Sequence, residues 1–211
     1  MSDKQNQEYL EDIKEIRSMM ERSSRFISLS GLSGISAGVV ALAGAITAWS
    51  YIKNNLAATD YSMSNLSTIE LKDLVFLTVE ALIVLFLALG LAIYFAMRKA
   101  RIQNLPVWNK AAELTFVNLF IPLVAGGIFC MILFYYNLYL LIAPVTLIFY
   151  GMALLNASKY TLHEIRWLGI TETVLGLVAC FTPGYSIIFW ALGFGILHII
   201  YGAVMYYRYE R

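Results

Sequence analysis

Charged residues are scarce in this chain, since only 14% of its 211 residues are Asp, Glu, Lys or Arg. Soluble domains contain about 25% of these residues. The shortage therefore excludes an ordinary soluble domain. Together with 60% hydrophobic residues and a mean hydropathy of +0.69, it predicts a multi-pass membrane protein.

Residues that usually carry chemistry are few as well. The two cysteines, Cys130 and Cys180, lie in apolar segments, and their spacing fits neither a disulfide framework nor a metal site. The sequence has no phosphate-binding glycine loop and no His-Glu-x-x-His motif. We therefore predict no catalytic residue, no metal and no cofactor. The basic segments are short and do not indicate a nucleic-acid partner.

Long apolar segments are what the chain does have. Six of them approach or reach the length that a helix needs to cross a bilayer core of about 30 Å. They are Ile27–Ile52, Leu74–Met97, Thr115–Tyr136, Leu138–Ala157, Trp167–Phe181 and Ile187–Tyr207. Because backbone groups cannot bond to water inside lipid, these segments predict helices. The expected fold is an all-α bundle of six transmembrane helices, residues 27–207, arranged as three hairpins.

The cationic residues are divided unequally between the two sides of these segments. Only Lys53 and Lys72 fall on one side. The other side holds Lys4, Lys14, Arg17, Arg22, Arg25, Arg98, Lys99, Arg101, Lys110, Lys159, Arg166, Arg208 and Arg211. By the positive-inside rule this split predicts cytoplasmic N- and C-termini, with residues 208–211 as a short tail. A bacterial cytoplasmic (inner) membrane is the expected location.

The polar segment before the first apolar run, residues 1–26, predicts an amphipathic cytoplasmic helix. Tyr9, Ile13, Ile16 and Met20 recur at helical spacing among charged residues. The first 25 residues lack the apolar core of a cleavable signal peptide. The helix either lies on lipid headgroups or on the bundle's own loops, or it docks on a cytoplasmic protein or a second copy. The bilayer itself is the other expected partner.

Small residues recur along the first apolar segment at intervals of three or four. The stripe contains Gly31, Gly34 and Gly38, and it continues with alanines. Small residues let helix backbones approach closely, so we expect this helix at the centre of the bundle or at a dimer contact. Weak similarity among the three hairpins places a glycine at a corresponding position of each second helix, and these glycines are Gly90, Gly151 and Gly202.

Four ionisable residues fall within or near the apolar segments. These are Glu80, Glu113, Glu172 and His198. Because a charge in hydrocarbon costs several kcal/mol, such residues face a bundle interior, a cavity or an interface. They predict a proton or ligand path. The alternative is structural: Glu172 and His198 satisfy one another across the last hairpin, and Glu80 is a neutral carboxyl bonded to Thr or Ser.

The last hairpin resembles the repeated unit of the HdeD-type acid-resistance membrane proteins. The residues that carry the resemblance are Leu168-Gly169-Ile170, Leu175-Gly176-Leu177, Thr182-Pro183-Gly184-Tyr185, Leu192-Gly193 and Tyr201-Gly202. The resemblance implies six short spans and a stress-linked inner-membrane protein. It supplies no catalytic or ligand motif, and the charged N-terminal segment and longer first loop of this chain depart from it.

A second resemblance is to the Gly-x-Ser-Gly motif of rhomboid intramembrane proteases, in the residues Gly31-Leu32-Ser33-Gly34. It implies a serine nucleophile paired with a histidine on the last helix, here Ser33 with His198. In that family the serine lies on the fourth core helix near the outer face. Here it lies on the first helix near the inner face, and the helix-two His-Asn pair is absent.

These observations predict a non-enzymatic membrane protein of stress-linked or regulatory type that acts through packing and partner contacts. A proton-linked transporter or channel using Glu80, Glu172 and His198 is the alternative, and an intramembrane serine protease is a remote one. A ligand cavity at the midplane would favour transport. A tight core with paired polar groups would favour the structural role.

Overall fold

The computed structural model describes residues 30–56, 70–104 and 108–211. Within these ranges all the regular structure is helical. The predicted amphipathic helix, residues 1–26, lies outside the described residues. The first helix begins and the last helix ends at the same end of the bundle, where Ser30 contacts Glu210. We call this end the Glu210 end.

Six helical rods make up the described chain. The first five are α1 (Gly31–Tyr51), α2 (Leu71–Ile102), α3 (Lys110–Tyr135), α4 (Ile142–Ala157) and α5 (His163–Phe181). The sixth consists of α6 (Ser186–Trp190), a π-helical segment (Ala191–Leu197) and α7 (His198–Tyr209), and we call it the sixth helix. A π-helical turn, Ile52–Leu56, extends α1 at the opposite end, which we call the Asn54 end.

Five of the rods are long and apolar enough to cross a membrane. They comprise Gly31–Asn55, Leu71–Ile102, Lys110–Tyr135, Tyr139–Ala157 and Pro183–Tyr209. The remaining rod, α5, has 19 residues, but it carries Glu164, Arg166 and Glu172. The structure thus supports a membrane-embedded helical protein with five such helices. The predicted second segment, Leu74–Met97, is too short, because α2 continues to residue 71 at one end and to residue 102 at the other.

Helix α1 lies between α2 and the sixth helix, and α4 lies between α3 and α5. The most extensive contacts in the described bundle are those of α1 with the sixth helix and of α4 with α5. The two helices of the predicted third hairpin, α5 and the sixth helix, share fewer contacts, because the sixth helix packs mainly on α1. Helices α2 and α3 each have one extensive helix neighbour and form two edges of the bundle.

Glycines produce the contact between α1 and the sixth helix. A Cβ atom built on Gly34 would lie 3.0 Å from the Cα of Gly202, and one built on Gly38 would lie 2.6 Å from the carbonyl oxygen of Gly195. Gly31 abuts the backbone of Gly202 in the same way. The stripe of small residues therefore lies at a helix crossing within the chain.

The other two predicted packing glycines differ from each other. A Cβ on Gly151 of α4 would lie 2.7 Å from the carbonyl oxygen of Gly169 on α5. A Cβ on Gly90 of α2 would meet no described heavy atom within 4 Å. The prediction of a close crossing at Gly90 is not supported within the described chain, because α2 packs mainly on α1 and this glycine is exposed.

Candidate functional site

Three polar side chains meet inside the bundle at Glu172, His198 and Tyr150. The Glu172 side chain is completely buried, and its Oε1 atom lies 3.3 Å from Nδ1 of His198. The other ring nitrogen of His198, Nε2, lies 2.9 Å from the Tyr150 hydroxyl. We call these three residues, with Gly193, the Glu172 cluster. The predicted pairing of Glu172 with His198 corresponds to a short contact in the structure.

Three different rods position the cluster. Helix α5 supplies Glu172, α4 supplies Tyr150, and His198 is the first residue of α7, directly after the π-helical segment. The carbonyl oxygen of Gly193, within that segment, lies 3.0 Å from Nδ1 of His198. A Cβ on Gly193 would overlap Oε2 of Glu172 and the side chain of Leu147. Glycine is therefore needed for the sixth helix to approach the carboxyl group.

The hydrogen bonds of the cluster leave the carboxyl group unsatisfied. Neither oxygen of Glu172 has a hydrogen-bond partner in the described structure. Because Nδ1 of His198 is closer to the Gly193 carbonyl than to Glu172, its N–H is directed to the carbonyl oxygen in this arrangement. With Nδ1 protonated and Nε2 accepting from Tyr150, both ring nitrogens of a neutral imidazole are satisfied.

Aromatic rings cover one side of the histidine. The ring of Phe194 stacks with that of His198 at 5.8 Å between centroids, and Tyr150 lies 5.0 Å from Phe194. The ring of Trp190 follows at 5.0 Å from Phe194. These rings keep polar solvent away from His198, whose side chain is 8% exposed. The environment therefore strengthens electrostatic interactions between the members of the cluster.

The structure places Glu80 and Glu113 elsewhere. On α2, Oε1 of Glu80 accepts a hydrogen bond of 2.8 Å from the Thr47 hydroxyl of α1. Glu113 lies in the first turn of α3 and forms an exposed ion pair with Lys110 at 3.1 Å. The four predicted site residues thus occupy three separate positions, and the described contacts join only Glu172 to His198.

Ser33 and His198 have different hydrogen-bond partners in the described structure. The hydroxyl of Ser33 donates to the carbonyl oxygen of Ala92 on α2 at 2.9 Å. Both ring nitrogens of His198 lie instead within hydrogen-bond distance of Tyr150 and Gly193. Among the described residues, no three His, Cys, Asp or Glu side chains are grouped so that they could hold a metal ion.

Sequence reasoning missed a polar cluster at the Glu210 end. The carboxylate of Glu210 accepts hydrogen bonds from the Ser30 hydroxyl at 3.0 Å and from the backbone amide of Gly31. Its Oε1 atom also lies 3.6 Å from Nζ of Lys99, which is buried at the end of α2. One carboxylate thus ties together the start of α1, the end of α2 and the end of the chain.

Further hydrogen bonds join neighbouring helices at both ends of the bundle. At the Glu210 end, Glu164 of α5 accepts from Arg208 at 2.7 Å and from the Tyr209 hydroxyl at 3.0 Å. At the Asn54 end, the Tyr51 hydroxyl donates to the buried Asp73 at 2.7 Å. The partners in these contacts are 22 to 45 residues apart. The sequence spacing of residues on one helix therefore cannot predict these contacts.

No protein-family model, no curated protein and no solved structure matches this chain. The resemblance to the HdeD-type proteins therefore rests only on the residues of the last hairpin. Within that hairpin lie both Glu172 and His198, so the segment that carries the resemblance also carries the most deeply buried ionisable pair of the described chain.

Proposed function

We propose that this protein is a non-enzymatic, proton-responsive membrane protein in which the Glu172 cluster holds one proton inside the bilayer core. The observation that carries the proposal is the state of Glu172. Its carboxyl group is completely buried, lacks a hydrogen bond among the described residues, and lies 3.3 Å from Nδ1 of His198. Ionisable groups inside membrane helices usually mark functional sites.

The proposal includes α5 as a sixth membrane crossing. Two of its three charged residues face partners within the bundle, because Glu164 pairs with Arg208 and Glu172 lies beside His198. At 1.5 Å per residue its 19 residues extend about 28 Å, close to the thickness of a bilayer core. This crossing would place Glu172 within the hydrocarbon.

The cluster has two arrangements that are electrically neutral. In one, a carboxylic acid lies beside a neutral imidazole, and in the other a carboxylate lies beside an imidazolium. Both arrangements hold one proton. Adding a second proton or removing the only one leaves a net charge in the core, which costs several kcal/mol. Gain of the second proton at acidic pH, or loss of the only proton at alkaline pH, would therefore force the surrounding helices to rearrange or to admit water.

The π-helical segment is the element that such a change would affect first. It contains Gly193, which contacts Glu172 and His198, and it leads directly into α7. π-Helical turns are frequent at functional sites. Because the sixth helix packs on α1 through backbone contacts, a shift of this segment would be transmitted to α1. Regulation by protons fits the stress-linked role that the HdeD-type resemblance implies.

Infrared difference spectra between acidic and alkaline pH should test proton binding at Glu172. In liposomes, the wild-type protein should show the carbonyl stretch of a buried carboxylic acid on the acidic side, because a second proton added to either neutral arrangement leaves Glu172 protonated, whereas removal of the only proton at alkaline pH leaves it as a carboxylate. Glu172→Gln should remove this band. Glu113→Gln, which changes an exposed carboxylate paired with Lys110, should retain it. Identical spectra for the wild type and Glu172→Gln would refute the proposal.

The same samples distinguish regulation from proton-linked transport, the second candidate. Transport is favoured by the interruption of the sixth helix beside a buried carboxyl, as in transporters with discontinuous helices. For regulation, amide hydrogen exchange of residues 191–197 should change with pH in the wild type but not in Glu172→Gln, without proton flux across the liposome membrane. A proton flux that Glu172→Gln abolishes would instead establish transport.

We also propose that the Glu210 end faces the cytoplasm, from the unequal distribution of cations. A cysteine at the exposed Asn54 should react with an impermeant thiol reagent added outside intact cells. One at the exposed Gln103, which follows α2 at the Glu210 end, should react only after the cells are opened. Both variants would be made with Cys130 and Cys180 replaced by alanine. The reverse labelling pattern would show that the Glu210 end faces outward and would refute the proposed orientation.

A further inference from the structure

The carboxyl group of Glu80 lies in an apolar stretch of α2. Leu74 begins that stretch, and Glu80 follows it by six residues, or about 9 Å along the helix axis. Its neighbours along α2 include the exposed apolar side chains of Phe76, Val79 and Ile83. Among the described residues Glu80 forms no ion pair. A carboxylate here would therefore have no such cation to offset the cost of a charge inside the bilayer core.

Two oxygen contacts of Thr47 bear on the charge of Glu80. The hydroxyl oxygen of Thr47 lies 2.8 Å from Oε1 of Glu80 and also 2.8 Å from the carbonyl oxygen of Gly44. Both distances are typical of O–H···O hydrogen bonds. The hydroxyl has one hydrogen, and the Gly44 carbonyl can only accept. If Glu80 were ionised, it too could only accept, and two acceptors would compete for that one hydrogen.

A proton on Glu80 removes this competition. The carboxyl then donates to the hydroxyl oxygen of Thr47, and the Thr47 hydrogen goes to the Gly44 carbonyl, so each of the two contacts contains one hydrogen. The bond between Glu80 and Thr47 keeps its length and reverses its direction, because an oxygen–oxygen distance does not fix the position of the hydrogen. Gly44 also provides the space for the carboxyl, since a Cβ atom there would lie 3.1 Å from Oε1 of Glu80.

We propose that these three groups, the Glu80 carboxyl, the Thr47 hydroxyl and the Gly44 carbonyl, form a second proton-binding site inside the membrane. Loss of its proton would turn the Thr47 hydrogen from the Gly44 carbonyl to the carboxylate, and it would put a charge at the contact between α1 and α2.

This site does not depend on the function proposed for the Glu172 cluster. Glu80 belongs to the α1–α2 contact, whereas Glu172 lies among α4, α5 and the sixth helix.

The titratable side chains of α1 and α2 nearest to the site along the two helices are engaged at the Asn54 end. The hydroxyl of Tyr51 donates to Asp73 at 2.7 Å, and Lys72 pairs with the preceding Glu70 at 2.8 Å. Asp73 precedes Glu80 by seven residues, or about 10 Å along the helix axis. In the described structure none of these side chains bonds to Glu80, so its proton is governed by the apolar surroundings and by the two hydrogen bonds of the site.

Modification by dicyclohexylcarbodiimide, an apolar reagent for protonated carboxyl groups, tests the site in liposomes of the purified full chain. The acid adds across one C=N bond of the reagent: the carboxyl oxygen bonds to the central carbon, the proton moves to a nitrogen, and nothing leaves. At neutral pH, peptide mass spectrometry should find the added mass at Glu80 but not at Glu113, an exposed carboxylate paired with Lys110. The adduct at Glu80 should be lost as the pH rises. Protection by sodium ions at constant pH would assign the site to a metal cation and overturn the proposal.

Infrared spectra at neutral pH measure the charge of Glu80 directly, and they decide the question if the reagent modifies no carboxyl group. The difference between the wild type and Glu80→Gln should contain the carbonyl stretch of a carboxylic acid. Glu113→Gln, the matched control, should remove carboxylate bands instead. Glu172 is unchanged in these samples, so a failure at Glu80 is distinguished from a failure of the function proposed for Glu172. Carboxylate bands in the Glu80→Gln difference would refute the second site.

The hydrogen bond itself is tested by substitutions of Thr47, whose side chain is exposed. Thr47→Val removes the acceptor for the carboxyl hydrogen, so the carbonyl stretch of Glu80 should move to higher frequency. Thr47→Ser keeps the hydroxyl and should leave the band in place. An unshifted band in Thr47→Val would show that Glu80 does not donate to Thr47 and would overturn the arrangement of the site.

Discussion

Replacement of Gly38 by leucine should destabilise the helical bundle strongly. Its Cβ would lie 2.6 Å from the carbonyl oxygen of Gly195 and 3.0 Å from the backbone nitrogen of Ile199. Both atoms belong to the backbone of the sixth helix, so no side chain can move aside to make room. Overpacking of a well-packed site typically costs about 1–3 kcal/mol, and separating two helices that touch through their backbones should reach the upper part of this range. Thermal or denaturant unfolding in detergent measures the effect.

Gly90→Leu is the matched control, because it makes the same chemical change on a neighbouring helix. A Cβ on Gly90 would meet no described atom within 4 Å, so the added side chain can extend outward from α2. Its unfolding should differ little from that of the wild type. If Gly38→Leu were as stable as Gly90→Leu, the close crossing of α1 and the sixth helix would be wrong.

Removal of the Glu210 carboxylate should have the second large effect. Glu210→Ala deletes the acceptor for the Ser30 hydroxyl and the Gly31 amide, and it removes the negative charge 3.6 Å from Nζ of Lys99. The side chains of Lys99 and Glu210 are only 4% and 10% exposed. Breaking a buried ion pair typically costs about 3–5 kcal/mol. The carboxylate also faces the N-terminus of α1, where a negative charge is favourable.

Glu113→Ala provides the comparison for this prediction. It also deletes a carboxylate paired with a lysine, but the side chains of Lys110 and Glu113 are 74% and 47% exposed. An exposed pair contributes about 0–1 kcal/mol. Unfolding of both variants, measured in the same detergent, should therefore show a much larger loss of stability for Glu210→Ala. Similar losses would mean that the cluster at Glu210 does not hold the rods together.

Much of the fold was predictable because membrane helices have a strong local signal. Five of the six apolar segments correspond to helices that are long and apolar enough to cross a membrane. The remaining segment, Trp167–Phe181, lies within α5, which begins four residues earlier at His163. Its first turn is polar, and Glu164 in that turn pairs with Arg208, which lies far away in the chain. Local hydropathy therefore does not reveal where this helix begins.

The candidate site was predictable in part for the same reason. A carboxyl and an imidazole in apolar segments are conspicuous, and their similar depth in one hairpin suggested that Glu172 and His198 meet, as they do at 3.3 Å. Tyr150 comes from α4, outside that hairpin, and the approach of Gly193 depends on the π-helical segment. Neither contact follows from the period of a regular α-helix.

Composition and short-range spacing are enough to predict the helical class, the apolar segments and the small-residue stripe of α1. The surface that this stripe meets depends on tertiary packing, because lipid favours no helix pair over another and close packing selects the partner. This packing placed Gly38 against the sixth helix, left Gly90 open, and brought Glu210 to the start of α1. These outcomes depend on contacts between residues that lie far apart in the chain.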